Sequence, residues 1–159
     1  MSQETNNTAA EAEIRALIDS WIKAASAADV EATMAHYAPD VIAYDAILAL
    51  QFKGWDVYRK HWQMCMSMCS AMSFKVHDLH IAVDGNVAFS HCLNRCGGAD
   101  KDGNEHTSWM RSTTGYRKID GQWKIVHEHF SAPFDMETSK ALFDPVSYTH
   151  LTLPTILLV

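Results

Sequence analysis

Positive charge is in short supply in this chain. Lysine and arginine total 13 against 19 aspartates and glutamates, a formal charge of -6, and no basic patch offers a footprint for a phosphate backbone, so nucleic acid is excluded as the expected partner. Long apolar runs are missing too: no stretch reaches the roughly 18 apolar residues that a membrane span needs. The opening "MSQETNNTAAEAEI" lacks the cationic start and apolar core of a secretory signal, and the expected compartment is the cytoplasm. Cysteine is sparse, with 4 residues. Cys65 and Cys69 lie four apart, as do Cys92 and Cys96, which is not the C-x-x-C of a zinc or redox site, so packed, reduced thiols are expected. No repeat or internal linker divides the chain.

At 159 residues the chain suits one domain, burying about two thirds of the surface its unfolded form exposes, enough for an interior cavity. Ile14, Leu17, Ile18, Trp21, Ile22 and Ala25 form one stripe of a helix. Asp29 is a good N-cap for a second, short helix with Val30, Met34 and Tyr37 inward, stopped by Pro39. "DVIAYDAIL" (40–48) reads as a strand, and after Gly54 a third helix carries Trp55, Tyr58, Trp62, Met66 and Cys69 at helical spacing. From residue 72 the pattern changes to long alternating runs. Two strands flank Asp84-Gly85-Asn86 and two more flank Asp120-Gly121, both turn signals. Three helices followed by mostly antiparallel strands make the class α+β, with helices on one face of a curved sheet.

The end of the chain differs in texture. Residues 146–159, "VSYTHLTLPTILLV", carry no charge and no periodicity. They resemble translated vector sequence and are set aside from functional reasoning, with 136–145 as a C-terminal extension.

The closing strand poses the functional question. Strict alternation along "GQWKIVHEHFSA" puts Trp123, Ile125, His127, His129 and Ser131 on one face, and Lys124, Val126, Glu128 and Phe130 on the other. Trp123 and Ile125 argue that the first face looks inward. On the neighbouring strand Trp109 and Arg111 share a face, so Arg111 and two histidines would offer a fixed cation and two groups that titrate near neutrality to an anionic or carbonyl-bearing ligand. The other reading puts both histidines on an exposed or subunit-facing side. A metal site built on the His-x-His pair would need further ligands, with His91 or Asp45 as candidates, and neither a metal nor a cofactor is expected. Asp45 stands in a run that is otherwise nearly all apolar, where a carboxylate becomes a better base. Its alternative is a strand-end aspartate facing solvent.

As a succession, "LIDSWIKAASAADVEATMAHYAPDVIAYDA", "FKGWDVYRKHW", "VDGNVAFSH" and "RSTTGYRKIDGQWKIVHEHFSAP" resembles the SnoaL-like, ketosteroid-isomerase-like branch of the nuclear transport factor 2-like superfamily over residues 11–135. The resemblance implies a conical fold, three N-terminal helices on a strongly curved, mostly antiparallel sheet enclosing a pocket, and a homodimer packed through the sheets. Asp45 falls on the position of the proton-shuttling aspartate of ketosteroid isomerases, while Trp21 stands where their oxyanion tyrosine should be. The expected site therefore has Asp45 as base and His129, His127 or Arg111 as donor, walled by Trp21, Tyr37, Trp62, Met66, His91 and Trp109. Its expected ligand is an apolar carbonyl or carboxylate compound, handled by isomerase-, cyclase- or dehydratase-like chemistry. The rival is a non-catalytic ligand-binding or oligomerisation domain like the association domain of calmodulin-dependent kinase II.

Overall fold

In a computed structural model the described residues are 3–69, 71–100 and 102–144. The Ile14-to-Ala25 stripe lies in α1 (Gln3–Ser26), and Ile14 and Ala25 are fully buried. Asp29 caps α2 (Val30–Met34), accepting a hydrogen bond from the Ala32 amide at 2.9 Å. The chain then enters β1 (Tyr37–Tyr44). Tyr37 thus opens a strand rather than lining a helix, and Pro39 lies within β1, where the pairing with the last strand is interrupted between Tyr37 and Ile42, a position that tolerates a residue with no amide donor. A two-residue strand that alternation does not reveal, β2 (Phe52–Lys53), precedes α3 (Trp55–Met68). Gly54 joins them at φ 87°, a left-handed conformation that only glycine adopts cheaply.

Four long strands follow: β3 (Ala71–Asp84), β4 (Val87–Ala99), β5 (Glu105–Ile119) and β6 (Gln122–Ser131). They form one six-stranded sheet in the order β2-β1-β6-β5-β4-β3. The β1–β6 pair is parallel and the others are antiparallel. The sheet is curled but not closed, and α1 and α3 pack on its inner side, where Trp21 meets Trp62 edge-on at 5.5 Å and Phe74 at 5.2 Å. No helix among the described residues is long and apolar enough to cross a membrane.

Two irregularities govern which side chains face inward. In β3 the register slips between His77 and His80, with Asp78 at φ 51°. In β6, Tyr116 pairs with Ile125 but Gly115 pairs with His127, so Val126 is an extra residue. A bulge of this kind exchanges the two faces of a strand beyond it. The described part of the C-terminal extension folds back on the sheet: Phe134 bridges to Ala141, and the Trp109 amide donates to the Phe143 carbonyl at 2.7 Å.

The set-aside segment 146–159 lies outside the described residues. Deleting it should leave the melting temperature within about 4 °C, the equivalent of roughly a kilocalorie for a domain of this size. A larger fall in a thermal melt would show that the segment packs on the domain.

Candidate active site

The bulge at Val126 corrects the expected orientation of the closing strand. Trp123 and Ile125 are buried as alternation requires, but from there onward Glu128 is inward and almost fully buried while His129 is exposed. His127 lies on the outer side with its Nδ1 2.7 Å from the Ile42 carbonyl, and both histidines edge the Tyr44 ring, at 4.9 and 5.9 Å. Arg111 is exposed on the same outer face, since its neighbours Ser112 and Tyr116 are the buried residues of β5. His91 stacks on His80 at 5.1 Å and Trp109 packs on His77 at 4.9 Å, both away from the interior. Asp45, Arg111 and His129 therefore do not converge on one interior cavity. Asp45 and His129 share only a shallow hollow of about 410 Å³ at the edge of the sheet, bordered by Tyr44, Leu48 and Phe130.

The interior cavity, open to solvent past Met68 and Phe143, measures about 460 Å³, within the range of small-molecule sites. Its wall is mostly apolar: Trp62 and Met68 from α3, Met72 and Phe74 from β3, Met110 and Phe130 from β5 and β6, and Phe143 from the extension. Trp62 stands on it as expected, whereas Met66 is buried in the core behind it. Gly97 also lines it, and a Cβ there would lie 2.9 Å from Ser73 Oγ and 3.1 Å from Thr107 Cγ2, its partners on the two flanking strands.

Asp45 and His61 interrupt this surface. Asp45 follows the last residue of β1, and its side chain is only 12% exposed, so it is a strand-end aspartate turned inward. His61 Nε2 lies 3.3 Å from Asp45 Oδ2 and is 2% exposed. Phe52 of β2 stacks on the imidazole at 4.1 Å, which explains what the short strand does for the site: it covers one face of His61. Burial opposes charge on this ring, but the hydrogen bonds to Asp45 and Cys65 outweigh it and push His61 up to about 9. At neutral pH His61 is therefore an imidazolium beside the Asp45 side chain.

Behind the pair runs a buried polar chain. Trp21 Nε1 donates to the Tyr37 hydroxyl at 2.8 Å, and Tyr37 donates to Glu128 at 2.9 Å. Tyr58, fully buried, contacts Glu128 Oε1 through its hydroxyl and lies 3.3 Å from Asp45 Oδ2. Burial pushes the Glu128 carboxyl up to about 7, against the two tyrosine hydrogen bonds, and holds both tyrosines well above their ordinary value. Trp21 and Tyr37, expected to wall the pocket, instead anchor this chain. Tyr58, His61 and Glu128 are absent from the sequence-based site. The first two could have been noticed, because Tyr58, His61, Trp62 and Cys65 recur at the spacing of one helix face. Glu128 could not, since the bulge that turns it inward leaves no mark in the apolar pattern.

Trp62 Nε1 is buried and has no hydrogen-bond partner among the described residues. A buried donor left without an acceptor costs stability. Among the described residues no group of three or more His, Cys, Asp or Glu side chains gathers as a metal site would require.

Comparison with known proteins agrees with this architecture. A search of curated proteins finds no match. Among solved structures, an NTF2-like protein of unknown function from Pseudomonas putida KT2440 is 51% identical, with 86% of this chain and 96% of that chain covered at a TM-score of 0.80. A protein from Novosphingobium aromaticivorans DSM 12444, provisionally described as a scytalone dehydratase, is 15% identical over 84% of this chain and 89% of its own, with a TM-score of 0.75. A provisionally described calcium/calmodulin-dependent protein kinase II association domain from Xanthomonas campestris is 22% identical over 76% and 86%, with a TM-score of 0.70. The last two share the fold. The family model of the SnoaL-like domain matches residues 14–135, and the chain belongs to the SnoaL-like family.

Proposed function

We propose that the protein is an acid-base enzyme that takes a proton from the carbon next to the carbonyl of a small, largely apolar compound. The observation that carries the reading is the Asp45–His61 pair, 3.3 Å apart, set into an apolar cavity of about 460 Å³. In this reading Asp45 is the base. His61, charged at neutral pH, donates to the oxygen where negative charge develops. Tyr58 ties the Asp45 carboxylate to the buried Glu128, which restricts the orientation of the base. Isomerisation, cyclisation and dehydration of such compounds all begin with this proton transfer.

The test is exchange in D2O. Small saturated ketones such as cyclohexanone, followed by proton NMR, should lose their α-protons faster with the protein than in buffer. Binding of these ketones without exchange would overturn the enzymatic reading in favour of a ligand-binding domain.

The proposed assembly is a homodimer through the outer face of the sheet. Tyr44, Phe89 and Leu93 are each more than 40% exposed there, beside the stacked His80 and His91 and the Arg95 guanidinium over Trp109, more apolar and aromatic surface than a lone domain usually leaves wet. Light scattering at micromolar concentration should give twice the chain mass, and replacing Phe89 and Leu93 by Glu should give the monomer. A wild-type monomer would refute the assembly.

A further inference from the structure

We propose that Cys65 is a nucleophilic thiol of the interior cavity, activated by His61, and that it adds reversibly to α,β-unsaturated carbonyl compounds that enter there. The inference shares His61 with the proposed acid-base reading but stands on a different atom and a different bond.

Its first support is geometric. Cys65 Sγ lies 3.6 Å from His61 Nε2 and 4.0 Å from Nδ1, and the same imidazole is 3.3 Å from Asp45. The two residues are four apart on α3, so the helix itself holds thiol and ring on one face. A thiol in contact with an imidazole is the arrangement in which cysteine serves as a nucleophile. Its second support is access, because Cys65 is half-buried and stands on the cavity wall together with His61 and Trp62. The other thiols differ. Burial pushes Cys92 up, and burial with help from Asp45 pushes Cys96 up to about 12, which keeps both protonated and inert. Cys69 is exposed on the rim of the cavity.

The addition balances without any further reactant. The Cys65 thiolate forms a carbon–sulfur bond at the β-carbon. The π pair of the carbon–carbon double bond moves toward the carbonyl oxygen, and His61 delivers its proton to the α-carbon. The product is a saturated carbonyl thioether, and no oxidant or reductant takes part. The reverse step returns the α-proton to the now neutral His61 and expels the thiolate, restoring the starting state.

The experiment uses the full chain and 2-cyclohexen-1-one at pH 7, read by intact mass and peptide mapping. The expected result is one adduct, on Cys65, formed about tenfold or more faster than on any other cysteine and faster than on the same thiol in urea-unfolded protein. Cys65→Ser should remove the adduct, Cys69→Ser should leave it, and His61→Gln should slow it about tenfold or more. Labelling spread over several cysteines, or a native Cys65 slower than its unfolded counterpart, would overturn the proposal. Both of those outcomes are read on the wild-type chain, so they hold even if a variant fails to fold. Saturated ketones contain no site for thiol addition, so the exchange assay reads the acid-base proposal separately. Exchange without Cys65 labelling defeats this inference alone, and labelling without exchange defeats only the other.

Discussion

Asp45→Asn should lower protein-dependent α-proton exchange by about 100- to 10,000-fold, the usual contribution of a positioned general base, while ligand affinity changes far less. The amide keeps the shape of the carboxylate and its acceptor oxygen toward the Ile47 amide, which donates to Asp45 Oδ1 at 3.0 Å, but it cannot take a proton. A loss in kcat with little change in KM is the signature of a group that acts in the transition state. The pH profile adds a second readout. His61, pushed up to about 9, supplies the acid only while protonated, so exchange should fall as pH rises through about 9. In the Asn variant the ring loses the neighbour that raises it, and this limb should move to lower pH. Equal exchange rates in the two proteins would remove Asp45 from the mechanism.

Replacing Glu128 by Leu should cost several kilocalories of stability. The carboxylate accepts from both Tyr37 and Tyr58. Its loss strands the buried Tyr37 hydroxyl proton and leaves Tyr58 only the 3.3 Å contact to Asp45, at about 1–3 kcal/mol for each hydroxyl, a fall on the order of 10 °C in melting temperature. Glu128→Gln keeps an acceptor oxygen and should lose much less. The wild type carries a pH signature of the same group. A carboxyl raised from 4.5 to about 7 in the folded state contributes stability that is fully present below pH 4.5 and is lost as pH rises through 7, on the order of 3 kcal/mol for a fully buried group. His61, raised from 6.5 to about 9, contributes stability below 6.5 that is lost as pH rises through 9. Melting temperature should therefore decline from pH 5 to 9, and Glu128→Gln should flatten the part between pH 5 and 7 while leaving the later part. A Gln variant with an unaltered profile would show that Glu128 is ionised throughout.

Most of the architecture could be read from period and punctuation. The stripe from Ile14 to Ala25 and that from Trp55 to Met66 locate α1 and α3, and Asp84-Gly85 and Asp120-Gly121 locate the two long hairpins, because turn chemistry and helical periodicity are local properties. Asp45 was legible for the same reason, as one carboxylate in an apolar run. The rest depended on non-local pairing. Pro39 reads as a helix stop, yet it sits in β1 because the pairing with β6 is irregular there. Phe52 is too short a strand signal to notice, although it covers His61. The largest error follows from a single residue. Val126 adds one to the count between Ile125 and His127, so the same alternation that correctly buries Trp123 sends His129 outward and Glu128 inward. Arg111 followed the histidines into the error, since its placement was argued from theirs.

The most direct measurement of the central claim is a crystal structure of the protein soaked with a mixture of small aromatic ketones and carboxylic acids. Ligand density is expected in the interior cavity, with an oxygen within hydrogen-bond distance of His61 and a ligand carbon against the Asp45 carboxylate. Density confined to the outer face of the sheet beside Arg111, His127 and His129, with the interior cavity filled by the protein's own Ile47 or Phe143, would contradict it.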